Sequence, residues 1–422
     1  MTTRQQRSIL RDPAFGRLWF IQAATQVGGN MALYALTILV FATTRSNTAV
    51  SALVMSFLVP TVLLSAVAGV FVDRVDARLA LLIPNAVRTV LMVGLAAAGA
   101  NIALLLVLNL GISLTTVVLT PAEAAMIPRI VPKAQLEVAM GIFNLTLQAS
   151  FAAGFTFLGP LLVTTAGASA VLAIVAVLYA AATLAALLLP AAPPMAAAPG
   201  VAHAALDALV QQLREGLAAI GGNREVGRPL LHLAGAASLV GVVGVLGPDL
   251  ATSFGLDPED LIVVVLPLGL GVVAGVFGLR RFGRTVSRRR SGEAGLLAFG
   301  GLALGIAIIG PMAQRLGLPV IPPVVVLSFG AGAAYAATSV SAQTALFENM
   351  PPAVRGRIFG VLASIVSAAS LLPILVAGPL ADAITGRVVI SISAVAVIVI
   401  AAASATRFGP RPGTRRADDH PG

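Results

Sequence analysis

The sequence predicts an all-α membrane protein with twelve transmembrane helices in two pseudo-symmetric six-helix bundles. Of its 422 residues, 58% are hydrophobic and 10% are charged, against roughly 45–50% and 25% in soluble domains. A lipid-spanning helix needs about 20 apolar residues, and twelve such runs fit along the chain. The alternating segments of about 10 residues that build a membrane barrel are absent. Because backbone polar groups must be paired inside lipid, the spans must be helices.

The predicted spans follow one another with short polar connections. Many are rich in Gly and Ala, which lets neighbouring helices approach closely in lipid. They cover about 17–42, 49–72, 79–99, 102–127, 138–164, 168–189, 229–252, 260–280, 293–314, 320–347, 357–381 and 387–406.

The longest polar break falls near the middle of the chain and divides it into four predicted parts. These are a first half (1–190), a cytoplasmic linker (191–228), a second half (229–406) and a cytoplasmic tail (407–422). Within the linker, apolar residues recur at helical spacing from Leu206 to Ile220, which predicts an amphipathic helix along the membrane surface. Its role, structural or regulatory, stays open.

Two stretches of the first half recur in the second. The run Ala-Gly-Val-Phe at 68–71 returns at 274–277, each copy followed by two arginines. Pro132 and the pair Gly159-Pro160 return as Pro351 and Gly378-Pro379. Parallel repeats of six spans are typical of one large class of secondary transporters.

The basic residues predict the orientation. With the N-terminus in the cytoplasm, 23 of the 27 Lys and Arg fall in cytoplasmic segments. The exterior receives Arg45, Arg315 and Arg387, and Arg88 lies inside a span. This asymmetry follows the positive-inside rule and predicts a multi-pass protein of the cell (inner or plasma) membrane with both termini in the cytoplasm.

Several function classes are excluded by composition. The chain has no Cys and three scattered His, so we expect no metal site. The net charge of +10 is spread over loops rather than clustered on one face, which argues against a nucleic-acid partner. The single Lys, Lys133, follows Pro132 and not the Gly that a phosphate-binding loop requires. With no nucleophile-and-base arrangement either, we expect no cofactor and no enzymatic activity.

The loop between spans 2 and 3 carries the sharpest motif. Residues 69–78 read GVFVDRVDAR and resemble the signature loop of the major facilitator superfamily, G-x-x-x-D-R-x-G-R-R, although Asp76 and Ala77 replace its usual Gly and Arg. The gating motif that this resemblance implies comprises Gly69, Asp73, Arg74, Asp76 and Arg78. We expect Gly69 to permit close helix contact and Asp73 to face a helix N-terminus of the other half, forming a latch. The alternative is an ordinary positive-inside turn.

Looser motifs are similar to the drug:proton antiporter branch, which includes siderophore (enterobactin-type) and macrolide exporters. They are residues 12–19 (DPAFGRLW), Arg88, residues 127–132 (IPRIVP) and residues 351–359 (PPAVRGRIF). The resemblance implies a monomeric, proton-coupled exporter of a small molecule that works by alternating access among membrane lipids. The Gly-Asp that the branch has in span 1 is Gly29-Asn30 here. The alternatives are a lysophospholipid flippase of the same fold and a non-transporting sensor or scaffold.

Polar residues form stripes on single helical faces. A polar face within lipid must turn toward protein or a water-filled cavity, so these residues are cavity candidates, with interhelical hydrogen bonding as the alternative. They are Gln22, Gln26, Asn30 and Tyr34 in span 1, Asn109, Ser113 and Thr116 in span 4, Asn144 and Gln148 in span 5, and Tyr335, Ser339 and Gln343 in span 10.

Few ionisable groups lie within the spans. Arg88 is about 14 Å from the cytoplasmic end of span 3 at 1.5 Å per residue, and Glu123 shares a face with the polar stripe of span 4. Because charges at such depth are costly, each needs a partner, and they can pair with each other. Either Glu123 exchanges a proton and pairs with Arg88 in one state, or the two form a permanent ion pair. Asp249 is the next coupling candidate.

Overall fold

The computed structural model describes residue 9 and residues 12–193, 224–282, 288–348 and 355–407. Those residues form long helices and no strand. The first six helices are α1 (Pro13–Thr44), α2 (Asn47–Asp73), α3 (Ala77–Ala97), α4 (Ile102–Ile130), α5 (Leu136–Phe151, continued by a π-helical segment Ala152–Leu158 and by Gly159–Ala166) and α6 (Ala168–Leu187). The next six are α7 (Arg224–Ser253), α8 (Ile262–Phe282), α9 (Arg288–Leu316), α10 (Ile321–Glu348), α11 (Arg355–Ile384) and α12 (Gly386–Arg407).

Eleven of these helices are long and apolar enough to cross a membrane, and α11 contains a shorter apolar stretch, Ala369–Ile384. The predicted all-α membrane fold is confirmed. The predicted amphipathic helix of the linker, the cytoplasmic tail beyond residue 407 and residues 351–354 of the PPAVRGRIF motif lie outside the described residues.

Short polar residues start the helices of the first half. The Asp12 carboxylate accepts from the N–H groups of Ala14 and Phe15 and so caps α1. Ser46 caps α2, Asp76 caps α3 and Asn101 caps α4, each through its side chain. Such side chains satisfy the free N–H groups of a first turn, which explains why two to four residues suffice to reverse the chain between these spans.

The two halves repeat the same packing. In the first half α1 packs on α5 and α6, α4 packs on α2 and α3, and α3 packs on α6. In the second half α7 packs on α11 and α12, α10 packs on α8 and α9, and α9 packs on α12. Each packed pair of helices in the first half thus has a counterpart in the second half, six helices further along the chain. This is the pseudo-symmetry predicted from the recurring motifs.

Helix α5 is interrupted where it crosses α1. A Cβ at Gly154, within the π-helical segment, would collide with the carbonyl oxygen of Val27 and lie 2.8 Å from the Cβ of Asn30. A Cβ at Gly159 would lie 3.1 Å from the Cβ of Tyr34. These glycines let the two backbones touch, and π-helical segments often mark functional positions in helices.

The halves meet chiefly through α2 and α11. The Ser51 hydroxyl donates to the carbonyl oxygen of Ile374 at 2.8 Å. A Cβ at Gly378 would collide with Ser51 and with the carbonyl oxygen of Asn47. Asn47 begins α2 and Gly378 lies near the end of α11. The two halves are therefore in close contact at the end of the bundle where α1 turns into α2 and α11 turns into α12.

Candidate functional site

A polar cavity of about 80 Å³ lies inside the first half. Helices α1, α2, α3, α4 and α6 enclose it. Six of the predicted site residues line it, namely Gln26, Asn30, Arg88, Asn109, Thr116 and Glu123, together with Thr25, Thr120 and Tyr179. Polar side chains from separate spans thus converge on one enclosed space.

Arg88 is held by α6. Its side chain is buried, its Nη2 donates to the Tyr179 hydroxyl at 2.6 Å, and its Cζ lies 4.1 Å from the centre of the Tyr179 ring. A Cβ at Gly29 would lie 3.3 Å from the same hydroxyl, so the glycine leaves room for this contact. The Nε of Arg88 has no hydrogen-bond partner among the described residues. One donor of the buried guanidinium is therefore unpaired in this state.

Glu123 faces the same cavity from α4 and is 5% exposed. Among the described residues, no hydrogen bond and no salt bridge reaches its carboxyl group, so the predicted pairing with Arg88 is not formed in this state. A buried carboxyl group without a partner is costly. Glu123 is therefore placed to accept a proton, a cation or the guanidinium of Arg88.

The polar stripe of α1 divides between two environments. Gln26 and Asn30 line the polar cavity, and the Asn30 amide donates to the Gln26 carbonyl oxygen at 2.8 Å. Gln22 instead donates to the Phe143 carbonyl oxygen of α5 at 3.3 Å. Tyr34 is fully buried edge-on to a phenylalanine of α5, and its hydroxyl has no partner among the described residues. Gln22 and Tyr34 are thus packing residues in this state.

The stripe of α4 joins that helix to α2. The Asn109 amide donates to the Leu53 carbonyl oxygen at 3.3 Å and to the Ser56 hydroxyl at 2.9 Å. The Ser113 hydroxyl donates to the Phe57 carbonyl oxygen at 2.7 Å. Ser113 therefore forms an interhelical hydrogen bond, as the alternative interpretation predicted. Asn109 forms such bonds and also lines the cavity.

The candidates from α5 and α10 do not reach the polar cavity. Asn144 and Gln148 are exposed. In α10, Tyr335 packs edge-on to Phe299 at 5.6 Å between ring centres, and Gln343 donates to the Ser339 hydroxyl at 2.9 Å. Among the residues that the structure describes, those lining the polar cavity all belong to the first half.

A second cavity, also of about 80 Å³, lies between the halves. Its wall is apolar except for Thr156 of the π-helical segment. From α5 come Phe151 and Phe155, whose rings stack with centres 5.2 Å apart. The other side is formed by aliphatic and aromatic residues of the second half, including Val243, Val264, Phe299, Ile306 and Ile390.

The gating motif holds its own half together. The Asp76 carboxylate accepts from the N–H of Ala192 at 3.2 Å, and Arg78 donates to the Leu187 carbonyl oxygen at the end of α6. Both contacts lie within the first half, so Arg78 here caps a helix rather than bridging to an acid. Arg17 and Arg129 donate to carbonyl oxygens of the same segment.

Asp73 does not form the predicted latch in this state. Asp73 and Arg74 are exposed, and the Asp73 carboxylate has no hydrogen bond or salt bridge within the described residues. A Cβ at Gly69 would meet open space, so the expected close helix contact is absent as well.

A latch of the predicted chemistry lies instead at the opposite end of the bundle. The Asp382 carboxylate of α11 accepts from the Ser46 hydroxyl at 2.7 Å, from the Asn47 N–H at 2.7 Å and from the Thr48 N–H at 3.0 Å. An acid of the second half thus binds the positive N-terminal end of a helix in the first half. Two features of the sequence could have indicated this contact. One is an acid near the end of a predicted span, and the other is a Ser-Asn-Thr sequence at the start of a helix.

Asp249, the remaining coupling candidate, has a structural contact. Its carboxylate accepts from the N–H of Gly386, the first residue of α12, at 2.9 Å. It lines neither cavity. We find no group of three or more metal-ligating side chains in the described ranges.

Long apolar helices in two pseudo-symmetric halves, with a polar cavity in one half and an apolar cavity between them, define a multi-pass membrane transporter. Residues 18–373 match the family model of the Major Facilitator Superfamily. The chain belongs to this family, and it is a transporter rather than an enzyme.

Solved structures and one sequence relative agree with this class. The chain is similar to the nucleoside transporter NupG, with a TM-score of 0.67 and 17% identity over 94% of this chain and 100% of that one. It is also similar to a POT family transporter in complex with 5-aminolevulinic acid, with a TM-score of 0.68 and 14% identity over 92% and 94%. At these identities the likeness shows the fold alone.

The sequence relative is the multidrug efflux pump Tap of Mycolicibacterium fortuitum. It is 30% identical over 127 residues, which span 30% of this chain and 29% of the pump. The match therefore covers less than a third of the pump's length.

Proposed function

We propose that this transporter exports a small molecule of the drug, macrolide or siderophore class in exchange for protons. It acts as a monomer in the cell membrane, with both termini in the cytoplasm. The observation that carries the proposal is the buried and unpartnered carboxyl group of Glu123, enclosed with Arg88 in the polar cavity. The efflux-pump relative supports the direction of transport.

The coupling step is an exchange of partners at Arg88. In the state described, Arg88 is bound to the Tyr179 hydroxyl and Glu123 is free, so the carboxyl group can carry a proton. When the helices rearrange, Arg88 leaves the hydroxyl and pairs with Glu123. The carboxyl group then releases its proton, because pairing with a cation favours the ionised form.

The apolar cavity between the halves supports the choice of substrate. Two stacked phenylalanines and a wall with Thr156 as its one polar side chain suit an apolar molecule or the apolar part of a larger one. This lining favours lipophilic drugs over polar substrates. A lysophospholipid, whose chain is also apolar, is the competing substrate.

The contacts between the halves support a mechanism of alternating access. In the assigned orientation the Asp382 latch and the Ser51 contact lie on the outer side. The state described is then closed to the exterior. Opening it requires α2 and α11 to separate there, as the halves rock about the apolar cavity.

The test is transport into inverted membrane vesicles with an acidic lumen, which reproduces the outward-directed exchange. We expect accumulation of a lipophilic cationic dye or a macrolide that stops when an uncoupler dissipates the pH gradient. If accumulation is the same with and without the uncoupler, proton coupling is excluded. Movement of a labelled lysophospholipid, with no movement of dyes, macrolides or siderophores, would establish the flippase instead.

A further inference from the structure

An open groove lies between the end of α9 and the start of α12. It has a volume of about 560 Å³ and is lined by Ala307, Ile308, Met312, Arg315, Leu316, Arg387, Val388 and Ser391. Its apolar wall is exposed, with Ile308 at 50%, Met312 at 52% and Leu316 at 58%. It shares no lining residue with either transport cavity.

Two arginines face this groove without a protein partner. The side chains of Arg315 and Arg387 are exposed and make no hydrogen bond or salt bridge to any described residue. The described residues that line the groove include no Asp or Glu. The groove therefore carries two uncompensated positive charges beside an apolar surface.

The position of these charges is unusual for the chain. Only three of its 27 basic residues fall on the side that the topology assigns to the exterior. Two of those three converge on this groove from helices that are more than 70 residues apart in sequence. Since the positive-inside rule disfavours arginine there, their convergence points to a ligand rather than to topology.

We propose that this groove binds an anionic phospholipid of the bilayer leaflet at that end of the bundle. The guanidinium groups of Arg315 and Arg387 bind the headgroup phosphate, to which arginine is geometrically suited. An acyl chain lies along Ile308, Met312 and Leu316. A free anion matches the two charges but leaves the apolar wall uncovered, whereas an anionic lipid matches both parts of the groove.

The experiment uses the full chain and a local probe of lipid. We would replace Trp19, the only tryptophan, by Phe and place a new one in the groove wall with Met312→Trp. Quenching of its fluorescence is measured in phosphatidylcholine vesicles that contain brominated phosphatidylglycerol or brominated phosphatidylcholine. We expect the anionic lipid to be preferred on the order of tenfold.

The matched variants decide the outcome. Arg315→Gln with Arg387→Gln should abolish the preference, whereas Arg45→Gln, which removes the third arginine of that side, should leave it intact. Equal quenching by both lipids in the parent would overturn the proposal. So would an equal loss in Arg45→Gln, which would mean a general surface charge. Displacement of the lipid by millimolar inorganic phosphate would identify a free-anion site and also overturn it.

Discussion

At the scale of single residues, the polar cavity shows what a helical stripe can and cannot predict. Periodicity placed Gln26, Asn30, Asn109 and Thr116 on polar faces, and all four line the same cavity. It could not predict which neighbour each face would meet. The sequence did not predict a role for Tyr179, because a single hydroxyl group within an apolar segment gives no periodic pattern of polar residues.

The first residue-scale prediction concerns Glu123. Glu123→Gln keeps the size of the side chain but cannot exchange a proton. We expect the variant to retain substrate exchange across vesicles without a gradient and to lose accumulation driven by a pH gradient. The control is Glu137→Gln, which neutralises an exposed acid of α5. Full gradient-driven transport in Glu123→Gln would remove this residue from the coupling mechanism.

The second residue-scale prediction concerns the hydroxyl that holds Arg88. Tyr179→Phe leaves a buried guanidinium without its acceptor, so the free energy of unfolding should fall by about 1–3 kcal/mol. Thermal unfolding of the purified protein measures this. Tyr34→Phe is the matched control, because its buried hydroxyl has no partner among the described residues and its loss should cost nothing. Equal effects of both changes would contradict the role given to Tyr179.

At the scale of helices, the crossing of α5 over α1 depends on positions without a side chain, of which Gly154 is the most tightly packed. Gly154→Ala introduces a Cβ against the backbone of α1, where neither helix can yield cheaply. We expect a loss of about 1–3 kcal/mol in the free energy of unfolding. Gly141→Ala, in the same helix but facing open space, should instead gain about 0.5–1 kcal/mol. A neutral result at Gly154 would mean that the π-helical segment adapts.

The latch between the halves is the second helix-scale feature. The sequence predicted its chemistry, an acid facing a helix N-terminus across the halves, but only for Asp73 at the other end, and it did not predict the contact of Asp382. Acids and helix starts are readable from sequence. Which acid meets which helix start depends on how the halves dock, and no local pattern encodes that.

The prediction is that Asp382→Asn loosens this end of the bundle. The amide accepts fewer hydrogen bonds and loses the attraction to the helix dipole. A single Cys at Ser51, buried beneath the latch, should then react on the order of fivefold faster with an impermeant thiol reagent. Glu259→Gln, an exposed acid at the same end, should leave the rate unchanged. No acceleration in Asp382→Asn would show that the carboxylate does not restrain opening.

At the scale of the whole molecule, the helix packing is symmetric and the chemistry is not. The repeat of packing and the membrane class could be predicted, because they depend on hydropathy and motif recurrence. The count of twelve spans came close, since eleven of the described helices are long and apolar enough to cross a membrane. The segregation of the polar cavity into the first half could not. It depends on tertiary contacts, such as that between α3 and α6, which place Arg88 beside Tyr179 in only one of the two halves.

The last prediction tests the orientation on which the gating model depends. The chain has no Cys, so single exposed cysteines report sidedness directly. We expect Thr48→Cys and Leu318→Cys, at the end that carries Asp382, to react with an impermeant thiol reagent added to intact cells. Asp73→Cys and Lys133→Cys, at the opposite end, should react only in inverted vesicles. The physical reason is that 23 of 27 basic residues fall on the side that the positive-inside rule assigns to the cytoplasm. The reverse labelling pattern would place the Asp382 latch in the cytoplasm and turn the state described here into an outward-facing one.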